Sequence, residues 1–99
     1  MRSYRRLAAA RPDAFTPDLA RALTHLGVRL TELELHQEAL AADQEAVLLY
    51  RQLYAHDRDR FGEPTNNAIT NMVIDLRNLG RTDAEIQAEL EKLLDEEAG

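Results

Sequence analysis

The stretch THLGVRLTELELHQEALAADQEAV, residues 24–47, joins the end of one helical pattern to the start of a second. The first pattern consists of leucines that alternate between spacings of four and three residues: Leu19, Leu23, Leu26, Leu30 and Leu33. This spacing places the leucines on one face of a helix. Because Thr16 can cap the first turn and Pro17 is tolerated there, we predict a helix from Pro17 to Glu32.

The residues after this helix predict a second one, from about Leu35 to Ala55. Its apolar positions form a stripe wider than one helix face needs, which indicates contacts with neighbours on two sides. The segment from Asp57 to Pro64 contains two helix breakers, Gly62 and Pro64, and is therefore predicted to be a loop.

Three further signals organise the rest of the chain. A third helix is predicted from Thr65 to Leu79, with Gly80 in the left-handed conformation that ends many helices. The sequence Thr82-Asp-Ala-Glu85 forms a capping box and predicts that a last helix begins there. A short leading helix is predicted from residue 3 to residue 10.

The segment YRQLYAHDRDRF, residues 50–61, resembles YRRLAAARPDAF, residues 4–15, at an offset of 50 − 4 = 46 residues. At the same offset apolar positions pair along the chain: Leu23 with Ile69, Leu26 with Met72, Leu30 with Leu76 and Leu33 with Leu79. We interpret this as an internal repeat. The predicted organisation is one all-α domain over residues 1–99. In it, 1–15 end a preceding repeat, 16–61 form a full repeat and 62–97 form a terminal helix pair.

Composition and charge narrow the classes of function. A chain of 99 residues with 44% hydrophobic content supports one small domain. It has no cysteine, which excludes disulfides and thiolate metal sites, and no apolar run long enough to span a membrane. The net charge is −6, whereas nucleic-acid-binding proteins typically carry an excess of positive charge. We expect a cytoplasmic protein that binds neither membranes nor nucleic acid.

The opening stretch carries a family resemblance in four features: the Leu26-Gly27 pair, Leu30 one turn later, Glu38-Ala39-Leu40, and Ala46-Val47. These features resemble a tetratricopeptide repeat, in a form whose period exceeds the usual ~34 residues. Similar long-period repeats occur in kinesin light chains and in bacterial regulatory proteins. The resemblance implies a solenoid of antiparallel helix pairs, about two repeats plus a leading partial helix. In such a solenoid the small residues Gly27 and Ala39 let two helices approach closely.

The second repeat departs from this pattern. Val73 stands where the first repeat has Gly27, and Glu85 stands opposite Ala39. The departures indicate either a wider spacing of the second helix pair or a helix that ends the stack. In the stack that the resemblance implies, we expect six positions to be buried: Leu26, Leu30, Ala39, Val47, Ile69 and Leu76.

The resemblance also implies a protein-interaction module, whose concave groove is lined by the first helix of each pair. Eight residues lie off the apolar stripes of these helices and are the candidates for this groove: Arg21, Thr24, Val28, Thr31, Asn67, Thr70, Ile74 and Arg77. The groove would bind a peptide or a neighbouring domain, within a larger regulatory protein. The Lys/Asn/Arg set with which the family grips a terminal carboxylate is not found. Asn66 and Asn67 have a plainer interpretation as helix caps.

An alternative function is structural, namely self-association of two chains without a separate peptide ligand. Two chains would cover each other at the N-terminal end, where a preceding repeat is missing. The residues expected in this homodimer contact are Tyr4, Leu7, Leu19 and Leu23.

The sequence contains no pattern of catalytic residues. Its three histidines, His25, His36 and His56, lack the i, i+3 or i+4 spacing of metal ligands on a helix. There is no glycine-rich phosphate loop, and serine occurs once, at Ser3. We therefore expect no enzymatic activity, no metal and no cofactor.

Overall fold

The computed structural model describes the backbone of residues 12–98 and the side chains of residues 16–93. Four helices account for most of this part of the chain: α1 (Pro12–Glu32), α2 (His36–His56), α3 (Arg58–Asn78) and α4 (Asp83–Ala98). Residues 12–98 contain no strand. The all-α prediction is confirmed, and the predicted bounds of the second and last helices agree with α2 and α4 to within a few residues.

The first three helices form two successive hairpins. Gly27 of α1 faces Asp43 of α2, and the two residues are equally distant in sequence from Leu35 in the turn. Across the second turn, at Asp57, the Thr65 hydroxyl of α3 lies 3.2 Å from the carbonyl oxygen of Tyr50 in α2. Neighbouring helices are therefore antiparallel, and α2 packs along both α1 and α3. Far fewer residues are in contact between α3 and α4 than between α2 and either of its neighbours.

The core is formed by apolar side chains that pack around α2. Its buried members are Leu19, Ala20, Leu23, Leu40, Ala46, Val47, Tyr50, Phe61, Ala68, Met72, Leu76 and Ile86. Of the positions predicted to be buried, Ala39, Val47 and Leu76 are confirmed, while Leu30 and Ile69 are half-buried.

The predicted burial of Leu26 is wrong, and Leu33, the last leucine of the same pattern, is exposed as well. Leu26 is 37% exposed and Leu33 is 68% exposed. The reason is the rotation of α1, which turns Leu19, Leu23 and Gly27 toward the core. The edge of α1 that carries Leu26 and Leu33 is consequently left largely uncovered.

The predicted start of the first helix at Pro17 is also wrong, because α1 already begins at Pro12. Thr16 is buried within the helix and does not cap it. Proline inside a helix removes one backbone hydrogen bond. Burial of the continuous face formed by Thr16, Leu19 and Ala20 offsets this loss.

The residues from Arg58 to Pro64 are helical, which contradicts the predicted loop and the predicted helix start at Thr65. Asp57 alone separates α2 from α3, and its side chain caps α3 by accepting the backbone N–H of Arg60 at 3.1 Å. Phe61 is buried in the core. Phe61 reaches the core only if residues 58–64 are helical. Its burial therefore stabilises the helix in spite of the helix-breaking tendency of Pro64. Asn66 and Asn67 consequently lie within α3 and are not caps.

Two turns have the same backbone design. Glu34 after α1 and Gly80 after α3 adopt positive φ angles of 60° and 82°, and they are separated by the repeat offset, 80 − 34 = 46. In each turn the following N–H bonds back to a helix carbonyl: Leu35 to Leu30 at 2.9 Å, and Arg81 to Leu76 at 3.0 Å. This is the Schellman arrangement. The left-handed conformation predicted for Gly80 is confirmed.

The capping box predicted at the start of α4 is confirmed. The Thr82 N–H donates to Glu85 Oε1 at 2.9 Å, and the Glu85 N–H donates to Thr82 Oγ1 at 3.2 Å. Ile86 then enters the core. The predicted organisational boundaries after residues 15 and 61 fall inside α1 and α3, while the predicted leading helix lies outside the described residues.

Candidate functional site

A concave groove lies between α1 and α3, above the middle of α2. It has a volume of about 220 Å³. The residues that line it are Val28, Thr31, Glu32, Asp43, Asn71, Ile74 and Asp75. Ordinary small-molecule sites have volumes of roughly 300–1,000 Å³. The groove is therefore suited to a single side chain or a short peptide segment.

The floor of the groove includes Asp43, which is only 1% exposed. It projects from α2 onto the backbone of α1 at Gly27. A Cβ atom added to Gly27 would lie 2.8 Å from the Asp43 Cγ, which is inside van der Waals contact. The absence of a side chain at residue 27 is thus what makes room for this carboxyl group.

The second buried acid is Asp75 of α3, which is also 1% exposed. The Thr31 hydroxyl lies 3.1 Å from Asp75 Oδ1 and 3.0 Å from the carbonyl oxygen of Gly27. A hydroxyl has one proton to donate. Thr31 can therefore satisfy one of these two acceptors at a time.

The two aspartates interact across the α2–α3 contact. Burial raises the pKa of Asp43 to about 8, and a hydrogen bond with Asp75 and the negative charge of Asp75 act in the same direction. At neutral pH Asp43 accordingly keeps its proton, and its carboxyl group is hydrogen-bonded to that of Asp75. Apart from the contact between the two carboxyl groups, the buried Asp43 Oδ1 and Asp75 Oδ2 receive no hydrogen bond among the described residues.

Three of the eight residues predicted for the groove come together here: Val28, Thr31 and Ile74. Val28 is 45% exposed and Ile74 is 43% exposed, so the rim of the groove is apolar and open to solvent. Asn71, on the same face of α3, joins them.

The other five predicted residues do not line this groove. Arg21 pairs with Asp18 at 2.7 Å, and Arg77 lies 3.8 Å from Asp83. The hydroxyls of two threonines bond within their own helices, Thr24 to the carbonyl of Ala20 and Thr70 to that of Asn66, each at 3.0 Å. Asn67 is exposed.

Arg21 and Thr24 instead lie near Tyr50 of α2. Burial raises the pKa of the Tyr50 hydroxyl, while a hydrogen bond with Thr24 and the charge of Arg21 oppose the rise. These two residues therefore belong to the α1–α2 contact rather than to the groove.

The residues predicted for self-association are not available as predicted. Leu19 and Leu23 are buried in the core, where they pack between α1 and its neighbours. A residue that already packs internally cannot also form a contact between chains. Tyr4 and Leu7 lie outside the described residues.

Sequence reasoning missed Asp43 and Asp75, although a signal was present. Asp75 lies between Met72 and Leu76 on the buried face of α3, and Asp43 lies between Ala42 and Ala46 on that of α2. A charged residue at a core position usually requires a partner. Two such residues on helices that pack together indicate a paired site.

Among the described residues, no three His, Cys, Asp or Glu side chains are grouped so as to hold a metal ion. No helix in this part of the chain is both long and apolar enough to cross a membrane. Comparisons of the chain with protein-family models, with curated proteins and with solved structures gave no match.

Proposed function

We propose that this chain is a protein-interaction module that binds a peptide or a segment of a neighbouring domain in the groove between α1 and α3. The observation that carries the proposal is the combination of an exposed apolar rim, Val28 and Ile74, with polar residues that line the same groove, Thr31, Asn71 and Asp75. An apolar concave site with a few convergent polar groups is the usual form of a binding site.

We further propose that the helices form a tetratricopeptide-like solenoid. Three features support this: the 46-residue repeat in the sequence, the close crossing of α1 and α2 at Gly27, and the left-handed turns at Glu34 and Gly80. In such arrays the first helix of each pair lines the concave surface, and α1 and α3 hold these positions. The short contact between α3 and α4 fits the replacement of Gly27 by Val73 in the second unit.

The proposed role is binding without catalysis, in the cytoplasm. A nucleophile–base pair and a metal centre are the features that would favour an enzyme. The described residues contain no group of three potential metal ligands, and the polar lining of the groove consists of carboxyl, amide and hydroxyl groups.

A second candidate function is self-association through the uncovered edge of α1. The exposure of Leu26 and Leu33 favours it, because a continuous apolar edge on a helix is a common site of chain–chain contact. In this alternative a second copy of the chain covers the edge.

Two matched double variants distinguish these functions. Val28→Gln/Ile74→Gln alters the groove rim, and Leu26→Gln/Leu33→Gln alters the uncovered edge; all four positions are exposed enough to tolerate a polar side chain. Peptides are first selected from a displayed random library against the unaltered chain.

If the groove is the binding site, the groove variant loses the selected peptides and the edge variant retains them. If the edge is a dimer contact, sedimentation equilibrium shows the edge variant as a monomer and the groove variant as a dimer. The proposed function would be contradicted if no peptide is selected. It would also be contradicted if the selected peptides bind the groove variant with the same affinity as the unaltered chain.

A further inference from the structure

The helices α1 and α3 are structurally equivalent at the repeat offset. Both ends of α3 lie 46 residues after those of α1, since 58 − 12 = 46 and 78 − 32 = 46. The hydrogen bonds at the ends of the two helices keep this offset. The Leu33 N–H donates to the carbonyl of Arg29 at 3.1 Å, and the Leu79 N–H donates to that of Asp75 at 3.0 Å. The two helices can therefore be compared position by position.

One face of α3 is covered by α2, the helix that precedes it. Two contacts define this face: the Thr65 hydroxyl lies 3.2 Å from a backbone carbonyl of α2, and the Asp75 carboxyl is hydrogen-bonded to a carboxyl of α2. Helical periodicity places Met72 and Leu76 on the same face. Both are only 1% exposed, so α2 covers this face of α3.

The equivalent face of α1 is its uncovered edge. Leu26 corresponds to Met72 and Leu30 to Leu76, yet Leu26 is 37% exposed and Leu30 is half-buried. Leu33, on the same edge, is 68% exposed. The side chains are apolar in both helices, so residue type does not explain the difference. Among the described residues, no helix holds the place beside α1 that α2 holds beside α3. The edge therefore has the form of a surface that a helix covers.

The face that α2 turns toward α3 indicates the chemistry of such a covering helix. It is a buried stripe spaced as one helix face: Ala39, Asp43, Ala46 and Tyr50. One equivalent position differs in charge between the faces that are to be covered, because α1 has Arg29 where α3 has Asp75. Arg29 is exposed and forms no ion pair among the described residues. An acid at the Asp43 position of a covering helix would therefore meet a guanidinium group.

A second copy of the chain offers no suitable face. Its α2 is enclosed between α1 and α3. In α4 the first three positions of the equivalent stripe are Glu85, Glu89 and Lys92, which would be costly to bury against leucines. If two α1 edges packed together about a two-fold axis, Arg29 would lie beside its own copy, because it stands at the centre of the edge. Like charges opposed in a contact are unfavourable.

We propose that the uncovered edge of α1 binds an amphipathic helix of a protein partner, antiparallel to α1, which packs small apolar residues on Leu26, Leu30 and Leu33 and places a carboxylate opposite Arg29. Val28 and the groove lie on the other side of α1, so this inference does not depend on the peptide-binding function.

The test uses two synthetic peptides taken from the chain itself, both acetylated and amidated. The peptide of residues 36–56 carries the stripe of α2, and the peptide of residues 83–98 carries the charged equivalent from α4. Each is titrated into the intact chain while amide chemical shifts are followed. We expect the 36–56 peptide to shift the amides of Leu26, Leu30 and Leu33 and to leave that of Ile74 unchanged. The Leu26→Gln/Leu33→Gln variant is expected to lose this binding, and the 83–98 peptide is expected not to bind.

A charge exchange tests the carboxylate opposite Arg29. Arg29→Glu in the chain should bind the 36–56 peptide at least about tenfold more weakly than Arg77→Glu does. Arg77 is an exposed arginine of α3 and serves as the charge-matched control. A 36–56 peptide that carries Asp43→Lys should restore binding to the Arg29→Glu chain.

Several results would overturn the proposal. They are no shift at the edge amides, equal binding of the 83–98 peptide, or an equal effect of Arg29→Glu and Arg77→Glu. Sedimentation equilibrium gives the remaining outcome: a dimer that the Leu26→Gln/Leu33→Gln variant dissociates would assign the edge to a second copy of the chain instead.

Discussion

The carboxyl group of Asp43 occupies space that exists because Gly27 has no side chain. The Asp43 Cγ lies 2.8 Å from the position that a Cβ of residue 27 would take. The close contact of α2 with α1 at Gly27 and the burial of an acid at the bottom of the groove therefore have a common cause. A change at Gly27 should affect both the stability of the hairpin and the groove.

We predict that Gly27→Ala destabilises the protein by about 1–3 kcal/mol, because the new methyl group displaces Asp43 from a packed site. This loss outweighs the gain of about 1 kcal/mol expected for replacing glycine by alanine within a helix. Urea unfolding at neutral pH measures the difference.

Gly62→Ala is the matched control for this prediction. Gly62 also lies inside a helix, but a Cβ there would be 3.7 Å from the Tyr54 ring, an ordinary contact. We expect Gly62→Ala to stabilise the protein by roughly 0.5–1 kcal/mol. Equal stabilisation by both substitutions would contradict the close crossing at Gly27.

The second prediction concerns pH. The pKa of Asp43 is raised from 3.8 to about 8, so between these values the folded chain keeps a proton that the unfolded chain releases. The resulting stabilisation is fully present below the unfolded pKa and is lost as pH rises through the folded pKa. The charged group that acts on this carboxyl is Asp75, and Thr31 and Glu32 line the same groove.

Asp43→Asn removes this dependence. We expect the variant to exceed the unaltered chain in stability by about 1–3 kcal/mol at pH 8, and the advantage to shrink toward pH 5. Urea unfolding across this range tests it. Glu85→Gln is the contrast, because hydrogen bonds with Thr82 lower the pKa of exposed Glu85 and its contribution is lost on acidification. A pH-independent difference between Asp43→Asn and the unaltered chain would contradict the raised pKa of Asp43.

The third prediction concerns the turn after α1. Glu34 adopts φ = 60°, a conformation that costs a residue with a side chain about 1–2 kcal/mol and glycine little. Glu34→Gly should therefore raise the free energy of unfolding by about 1 kcal/mol. The converse substitution, Gly80→Ala at φ = 82°, should lower it by a similar amount. Thermal and urea unfolding of both variants measure the pair; a destabilised Glu34→Gly would show that the Glu34 side chain contributes contacts of its own.

The fourth prediction separates the two sides of α1. Leu23 is 1% exposed, and Leu23→Ala should cost about 2–5 kcal/mol because it leaves a cavity. Leu26 is 37% exposed, and Leu26→Ala should cost less than about 1 kcal/mol in the isolated chain. Comparable losses for the two variants, measured at protein concentrations where the chain is monomeric, would mean that another segment covers Leu26.

Local sequence was sufficient where a short stretch makes all the contacts that matter. The bounds of α2, the capping box of Thr82 and Glu85, and the left-handed Gly80 were predictable because each depends on residues within one or two turns. Val28 and Ile74 could be identified as groove candidates for a similar reason, since helical periodicity shows which residues lie off the apolar stripe.

Tertiary structure decided the features that depend on distant contacts. Pro64 indicates a helix break by its local chemistry, yet burial of Phe61 extends α3 back to Arg58. Likewise, the spacing of Leu26 and Leu33 matches that of the core leucines, but the rotation of α1 against α2 determines which leucines are covered.

The candidate site is the clearest case of this division. The sequence by itself determined that Asp43 and Asp75 each stand at a core position of a helix. Only the packing of α1, α2 and α3 determined that the two carboxyl groups meet and that Thr31 reaches Asp75. The physical reason is that periodicity assigns a residue to one face of its own helix, whereas the neighbour that it meets depends on how the helices rotate and cross.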